Sequence, residues 1–310
     1  MKRSRLAVLV ALLGAVLLSG CSRSDLFSWL IERQRGKAGL ELAEAAINGR
    51  SVAYLTNGNT TASRALVMVH GFAVNKDTWI RMAAHLPDDL YLIIPDLPGH
   101  GDSSVAHAAA YTVESQAATL AGLMDELGIG QVDMAGNSMG GAISAYFASR
   151  YPDRVRTLAL FDPAGSARYP SELDTALASG KNPLVVREPG DFSVLMDFVM
   201  EQRPFMPWPV IPVLEEQAIA RQAVNDEIFA ALLQSAEQLE LSAILPAIDA
   251  PTLIVWGRKD RVLAPENAEV FAQGIRQSTV VLLDNVGHVP MMEVPKQSAR
   301  VWQEFLQQHP

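Results

Sequence analysis

The chain has 310 residues, 49% of them apolar, enough for one large α/β domain with an insertion. Its net charge of -9 argues against a nucleic-acid partner, whose phosphates call for Lys and Arg patches. A single Cys excludes an internal disulfide and a Cys-based zinc site, and the six scattered His lack H-E-x-x-H spacing. Neither a metal nor a cofactor is expected.

Lys2, Arg3 and Arg5 precede an uncharged apolar run from Leu6 to Leu18. Residues 1–20 therefore read as an export signal or an anchor helix. Fifteen helical residues span about 22 Å, short of the roughly 30 Å of bilayer hydrocarbon. Leu18-Ser19-Gly20-Cys21 resembles a bacterial lipobox, which would make Cys21 a lipid anchor; a plain signal or a kept helix is the alternative. Removing the first twenty residues takes the charge from -9 to -12, because Lys2, Arg3 and Arg5 are lost. The expected location is the bacterial cell envelope, with the body in the periplasm and attached to a membrane. Leu26 to Ile47 reads as helical, with Leu26, Phe27, Leu30 and Ile31 on one face. Residues 21–49 are thus expected to form a juxtamembrane amphipathic helix. It would pack on the body, lie on lipid, or pair with a second subunit in a homodimer.

From residue 50 strands and helices alternate. Ser51–Leu55 reads as an edge strand, and Ala65–Val69 as a buried parallel strand. Asp77–Leu86 is a short helix, Leu90–Ile94 a strand, and Thr112–Leu127 a helix capped by Thr112. Val132–Ala135, Val155–Phe161, Thr252–Trp256 and Thr279–Leu283 are further strands; Met139–Arg150, Pro265–Ile275 and Pro295–Gln307 are helices. The alternation predicts a mostly parallel central sheet with helices on both faces, built from residues 50–163 and 248–310. Residues 164–247 break it. They carry Pro204, Pro207, Pro209 and Pro212 among apolar side chains, which predicts a helical lid over an apolar site. Met200, Phe205, Met206 and Trp208 are its candidate pocket residues.

Gly136-Asn137-Ser138-Met139-Gly140 follows an apolar strand and opens a helix. That is the G-x-S-x-G elbow in the context it requires. The Ser138 hydroxyl needs a base to take its proton and an acid to orient that base. His288 follows Gly287 after the last strand, and Asp260 ends Gly257-Arg258-Lys259-Asp260. The chain order Ser, Asp, His is that of the α/β-hydrolases. Ser138, Asp260 and His288 are therefore the expected nucleophile, acid and base, with Asp162 at the end of another strand as rival acid. Asp96 belongs to the Asp96-Leu97-Pro98-Gly99-His100-Gly101 loop and reads as structural. The Met139 N–H at the helix start, and the Phe72 N–H after His70-Gly71, are expected to hold an oxyanion. His70 and Glu293 read as braces of their loops.

The stretches V-H-G-F-A-V-N-K-D-T-W, D-L-P-G-H-G-D-S, G-N-S-M-G-G, W-G-R-K-D and G-H-V-P-M-M-E resemble the α/β-hydrolase superfamily across residues 50–310. H-G-F-x-x-x-K-D-x-W together with P-F-M-P-W-P is similar to family V bacterial lipases, monoacylglycerol lipases of the ABHD6 type and the membrane-bound phospholipase A of pseudomonads. The resemblance implies hydrolysis of acyl esters of glycerol or glycerophospholipids without a cofactor. It also implies anchored members whose N-terminal helix supports dimers. The expected function is thus a membrane-attached lipase, esterase or phospholipase A acting through an acyl-enzyme. The alternatives are a carbon–carbon bond hydrolase of aromatic ring-fission products and a catalytically dead lipid-binding scaffold.

Overall fold

A computed structural model describes residues 22–310. The export or anchor segment and Cys21 lie outside the described residues. Eight strands form one sheet in the order β1-β2-β4-β3-β5-β6-β7-β8. They are β1 (Glu41–Ile47), β2 (Arg50–Thr56), β3 (Ala65–Val69), β4 (Tyr91–Pro95), β5 (Val132–Asn137), β6 (Val155–Phe161), β7 (Thr252–Gly257) and β8 (Ser278–Leu283). β1 and β2 pair antiparallel, β2 pairs antiparallel with β4, and every other pairing is parallel. Helices of seven residues or more are numbered α1 (Arg23–Lys37), α2 (Val113–Glu126), α3 (Met139–Arg150), α4 (Glu172–Ala178), α5 (Asp191–Val199), α6 (Val210–Ala220), α7 (Gln222–Gln238), α8 (Ala268–Gly274) and α9 (Pro295–Gln308).

The central strands are unbroken apolar runs because both their faces are covered. Alternate residues of β3 feed opposite layers. Val67 and Val69 join Leu120 of α2, Ile143 and Phe147 of α3 and Phe271 of α8. Leu66 and Met68 join Trp79, Met82, and Trp302 and Phe305 of α9. Thr112 caps α2 as expected, its hydroxyl accepting the Ser115 N–H.

The N-terminal expectation fails in part. The helix ends at Lys37, and Glu41–Ile47 is β1, a strand of the core sheet. Ala, Glu and Leu in this stretch favour a helix by intrinsic propensity. Two turns override them. Gly39 takes φ 66°, and Asn48-Gly49, at φ 51° and 77°, makes the left-handed two-residue hairpin that pairs all of β1 with β2. The core thus begins near residue 41, and β2 is an interior strand rather than an edge. The expected Asp77–Leu86 helix is also shorter: a 3-10 turn at Lys76–Trp79 runs into a helical turn at Ile80–Ala83.

On α1, the Leu26, Phe27, Leu30 and Ile31 face is half-buried. Arg23 reaches Glu216 of α6 at 2.7 Å, an exposed pair of the kind worth about 0–1 kcal/mol. Arg35 at the other end grips Asp77 with two bonds of 2.7 Å, nearly buried, and is the firmer tie. Among the described residues no single helix is long and apolar enough to cross a membrane.

Candidate active site

Ser138 sits at the tip of β5, at the N-terminus of α3, with φ 55° and ψ -120°. Such a backbone costs a non-glycine residue about 1–3 kcal/mol and persists only where its surroundings enforce it. Here the Ser138 N–H donates to Phe161 O (3.1 Å), and Ser138 O accepts from Ala164 (3.0 Å). The turn is too tight for side chains on either flank. A Cβ on Gly136 would lie 2.1 Å from Gly140 O, and one on Gly140 would lie 2.3 Å from Val69 O.

His288 and Asp260 meet as the sequence predicts. Nδ1 of His288 lies 2.8 Å from Asp260 Oδ2, and both residues are buried. Asp260 is itself well held: Oδ1 accepts the N–H groups of Val262 (2.8 Å) and Leu263 (3.1 Å), and Oδ2 accepts Trp256 Nε1 (3.1 Å). With Nδ1 as the donor to Asp260, Nε2 of His288 is left as the base. Asn137, next to Ser138, donates through Nδ2 to His288 O and to Phe161 O, each at 3.0 Å. That ties the base's loop to the elbow. Ser138 Oγ and His288 form no hydrogen bond here; such contacts commonly tighten only when substrate binds. Asp162, the rival acid, forms no hydrogen bond to His288, but one of its oxygens lies within 4.8 Å of an Asp260 oxygen and a His288 ring nitrogen.

The expected oxyanion loop passes against the elbow. A Cβ on Gly71 would stand 3.3 Å from Ser138 Cβ. Among the described residues, the Phe72 and Met139 amides have no hydrogen-bond partner, which leaves both N–H groups available beside Ser138. His70 braces this loop, as its neighbours suggested. Its Nε2 accepts the Leu97 N–H (3.0 Å), and its Nδ1 donates to Gly71 O (2.7 Å). Burial pulls its pKa down to about 4, so it stays neutral. Lys76, also buried, bonds Asp96 and Asp102 at 2.6 Å each. Burial works against its charge, but the two carboxylates outweigh it and raise its pKa. Lys76 and Asp96 are both fully buried, and removing one partner of such a pair typically costs about 3–5 kcal/mol.

The pocket expectations divide. Met200 is buried and Met206 partly buried against the core layer that holds Trp79. Phe205 and Trp208 face outward, 87% and 67% exposed. Proline between the apolar residues keeps this strap from folding its side chains inward as a helix face would. The loops after β3 and β4 are covered instead from α7, which the sequence analysis does not single out. Phe229 packs tilted against Phe72 with ring centres 5.4 Å apart, Ile228 is fully buried, and Arg221, just before the helix, donates to Gly99 O. The signal is in the sequence: Ile228 and Phe229 lie on an apolar-periodic stretch. The segment inserted after β6 is tied to the His288 loop as well. His288 N–H donates to Val199 O (2.9 Å). Glu293 accepts from Gly287 and Val289 on the His288 loop and from Glu201 and Gln202 at the lid's edge.

A family model described as the alpha/beta hydrolase fold matches residues 64–295. Lipase 3 of Moraxella sp. (strain TA144) is 37% identical over 89% of this chain and 88% of its own length. Monoacylglycerol lipase abhd6-B of Xenopus laevis is 27% identical over 97% of this chain and 91% of its own. The crystal structure of a membrane phospholipase A, described as a bacterial virulence factor, superposes with a TM-score of 0.90 at 40% identity, covering 99% of this chain and 98% of that one. With the elbow and its partners in place on an eight-stranded sheet, the chain belongs to the α/β-hydrolase family, among its carboxylic ester hydrolases.

Proposed function

We propose that the protein hydrolyses acyl esters of glycerolipids or glycerophospholipids through an acyl-enzyme on Ser138. The observation that carries this is Ser138 on its strained elbow, next to the 2.8 Å His288–Asp260 pair. Nε2 of His288 takes the hydroxyl proton as Ser138 Oγ adds to the ester carbonyl. The Phe72 and Met139 N–H groups receive the oxyanion, at a helix N-terminus whose dipole favours negative charge. The tetrahedral adduct collapses, His288 hands its proton to the departing alcohol, and the acyl group remains on Ser138. Water, deprotonated by His288, repeats the sequence and releases the fatty acid. Lipid as substrate is supported by the relatives, which are named as lipases and a phospholipase.

The same reading places the enzyme on the periplasmic side of a bacterial membrane, held by residues 1–20 or by a lipid on Cys21, with α1 leading from that anchor into the core. Pairing through the N-terminal helices would give a homodimer. Ser138→Ala is expected to lower p-nitrophenyl ester turnover by on the order of 10⁴- to 10⁶-fold and to abolish fluorophosphonate labelling, with the thermal transition kept. Full activity in that variant would refute the acyl-enzyme.

A further inference from the structure

Beside the Asp260–His288 pair lies a carboxyl that the proposed reaction leaves idle. Asp162 follows the last residue of β6 and is fully buried. Its backbone is in the left-handed region, with φ 45°, although it is not glycine. Its N–H donates to Val255 O (2.9 Å), and its Oδ1 accepts the Gly257 N–H (2.8 Å). Its Oδ2 is buried with no hydrogen-bond partner. One oxygen of Asp162, one of Asp260 and a ring nitrogen of His288 lie within 4.8 Å of one another.

The two carboxyls are unequal. Asp260 collects four donors, from Val262, Leu263, Trp256 and His288; Asp162 collects one. Two such neighbours do not both ionise in a buried site, and the better-solvated one keeps the charge. Burial, then the negative charge of Asp260, pushes Asp162 well above the usual carboxylate range, against the opposing Gly257 N–H. A neutral carboxyl is a donor. The carboxylate within 4.8 Å of the Asp162 carboxyl is that of Asp260.

We propose that Asp162 is a positioning residue of the triad: its buried carboxyl donates to Asp260, and it replaces Asp260 as the orienting acid for His288 when Asp260 is removed. The first role spreads the charge on Asp260 and so weakens its grip on the His288 ring. The second follows from the same geometry. Without Asp260 the repulsion is gone, Asp162 ionises, and its free oxygen can accept the Nδ1 proton of His288.

The role rests on the triad reading, and a mutant cycle in the full-length enzyme tests it, with kcat/KM for a soluble p-nitrophenyl ester followed against pH. Where no substitute exists, loss of the triad acid costs roughly 10⁴-fold. Asp260→Asn is expected to lose only about 10²-fold, with an acid limb moved to higher pH because the buried Asp162 must ionise. Asp162→Asn should cost at least about ten times more in the Asp260→Asn background than in the wild type. Asp162→Leu, which cannot donate, should move the wild-type acid limb upward, while Asp162→Asn, which can, leaves it in place. Equal costs of Asp162→Asn in both backgrounds would overturn the proposal, even if Asp162→Leu fails to fold. Fluorophosphonate labelling of Ser138 keeps the two failures apart. No label contradicts the triad, whereas label together with additive costs contradicts the role of Asp162.

Discussion

At Ser138 and Asp162, residues without glycine's freedom hold positive φ, and the two are joined through Phe161 and Ala164. Strain of this kind collects where function demands a fixed geometry. Asp162 adds a cost of its own. Its carboxyl binds a proton in the fold that the unfolded chain gives up above about pH 4. Stability therefore falls as pH rises from there through the raised folded pKa. Asp162→Asn removes this penalty. Its Tm should match the wild type near pH 4 and exceed it increasingly toward pH 7; a constant difference across that range would contradict a neutral Asp162. At this scale the sequence was legible wherever a motif fixed a backbone. Gly136, Gly140, Ser138, Asp260 and His288 stand where the spacing put them. Asp162 and Asn137 were harder, because what they do depends on loops from β6, β7 and β8 converging.

Among the elements, the parallel strands were readable because burial on both faces makes them unbroken apolar runs; Ala65–Val69 and Val155–Phe161 match residue for residue. β1 was not, because its Ala- and Glu-rich sequence is made a strand by the Asn48-Gly49 turn and by pairing with β2. The Lys76-Asp77-Thr78-Trp79 stretch gains a physical meaning. Lys76 locks the oxyanion loop to Asp96, Asp77 takes Arg35 of α1, and Trp79 packs edge-on against Phe161. Within the 204–212 strap, Phe205 and Trp208 face outward while Met206 and Val210 turn inward. Exposed Phe205 and Trp208 beside a helix that touches α1 suit a lipid interface, where aromatic rings settle. Replacing both with Ser should cut turnover of glycerolipid in vesicles by about tenfold or more, from roughly 1–2 kcal/mol of lost apolar contact, and spare a soluble short-chain ester. Equal loss on both substrates would place the strap's role inside the site instead.

For the molecule as a whole, two sheet faces carry separate apolar layers, and the catalytic loops gather at the C-terminal ends of β3, β5, β6, β7 and β8. The segment inserted after β6 touches both sides of the site: Phe229 of α7 packs on Phe72, Val199 at the end of α5 accepts the His288 N–H, and Glu293 links the Glu201 and Gln202 amides to the Gly287 amide. The decisive measurement is fatty-acid release by the detergent-solubilised full-length protein from a panel of glycerides, lysophospholipids and diacyl phospholipids, run beside Ser138→Ala. Release from at least one glycerolipid class by the wild type and none by the variant is the predicted result. No release from any of them, or release that survives in Ser138→Ala, would contradict a glycerolipid hydrolase built on Ser138.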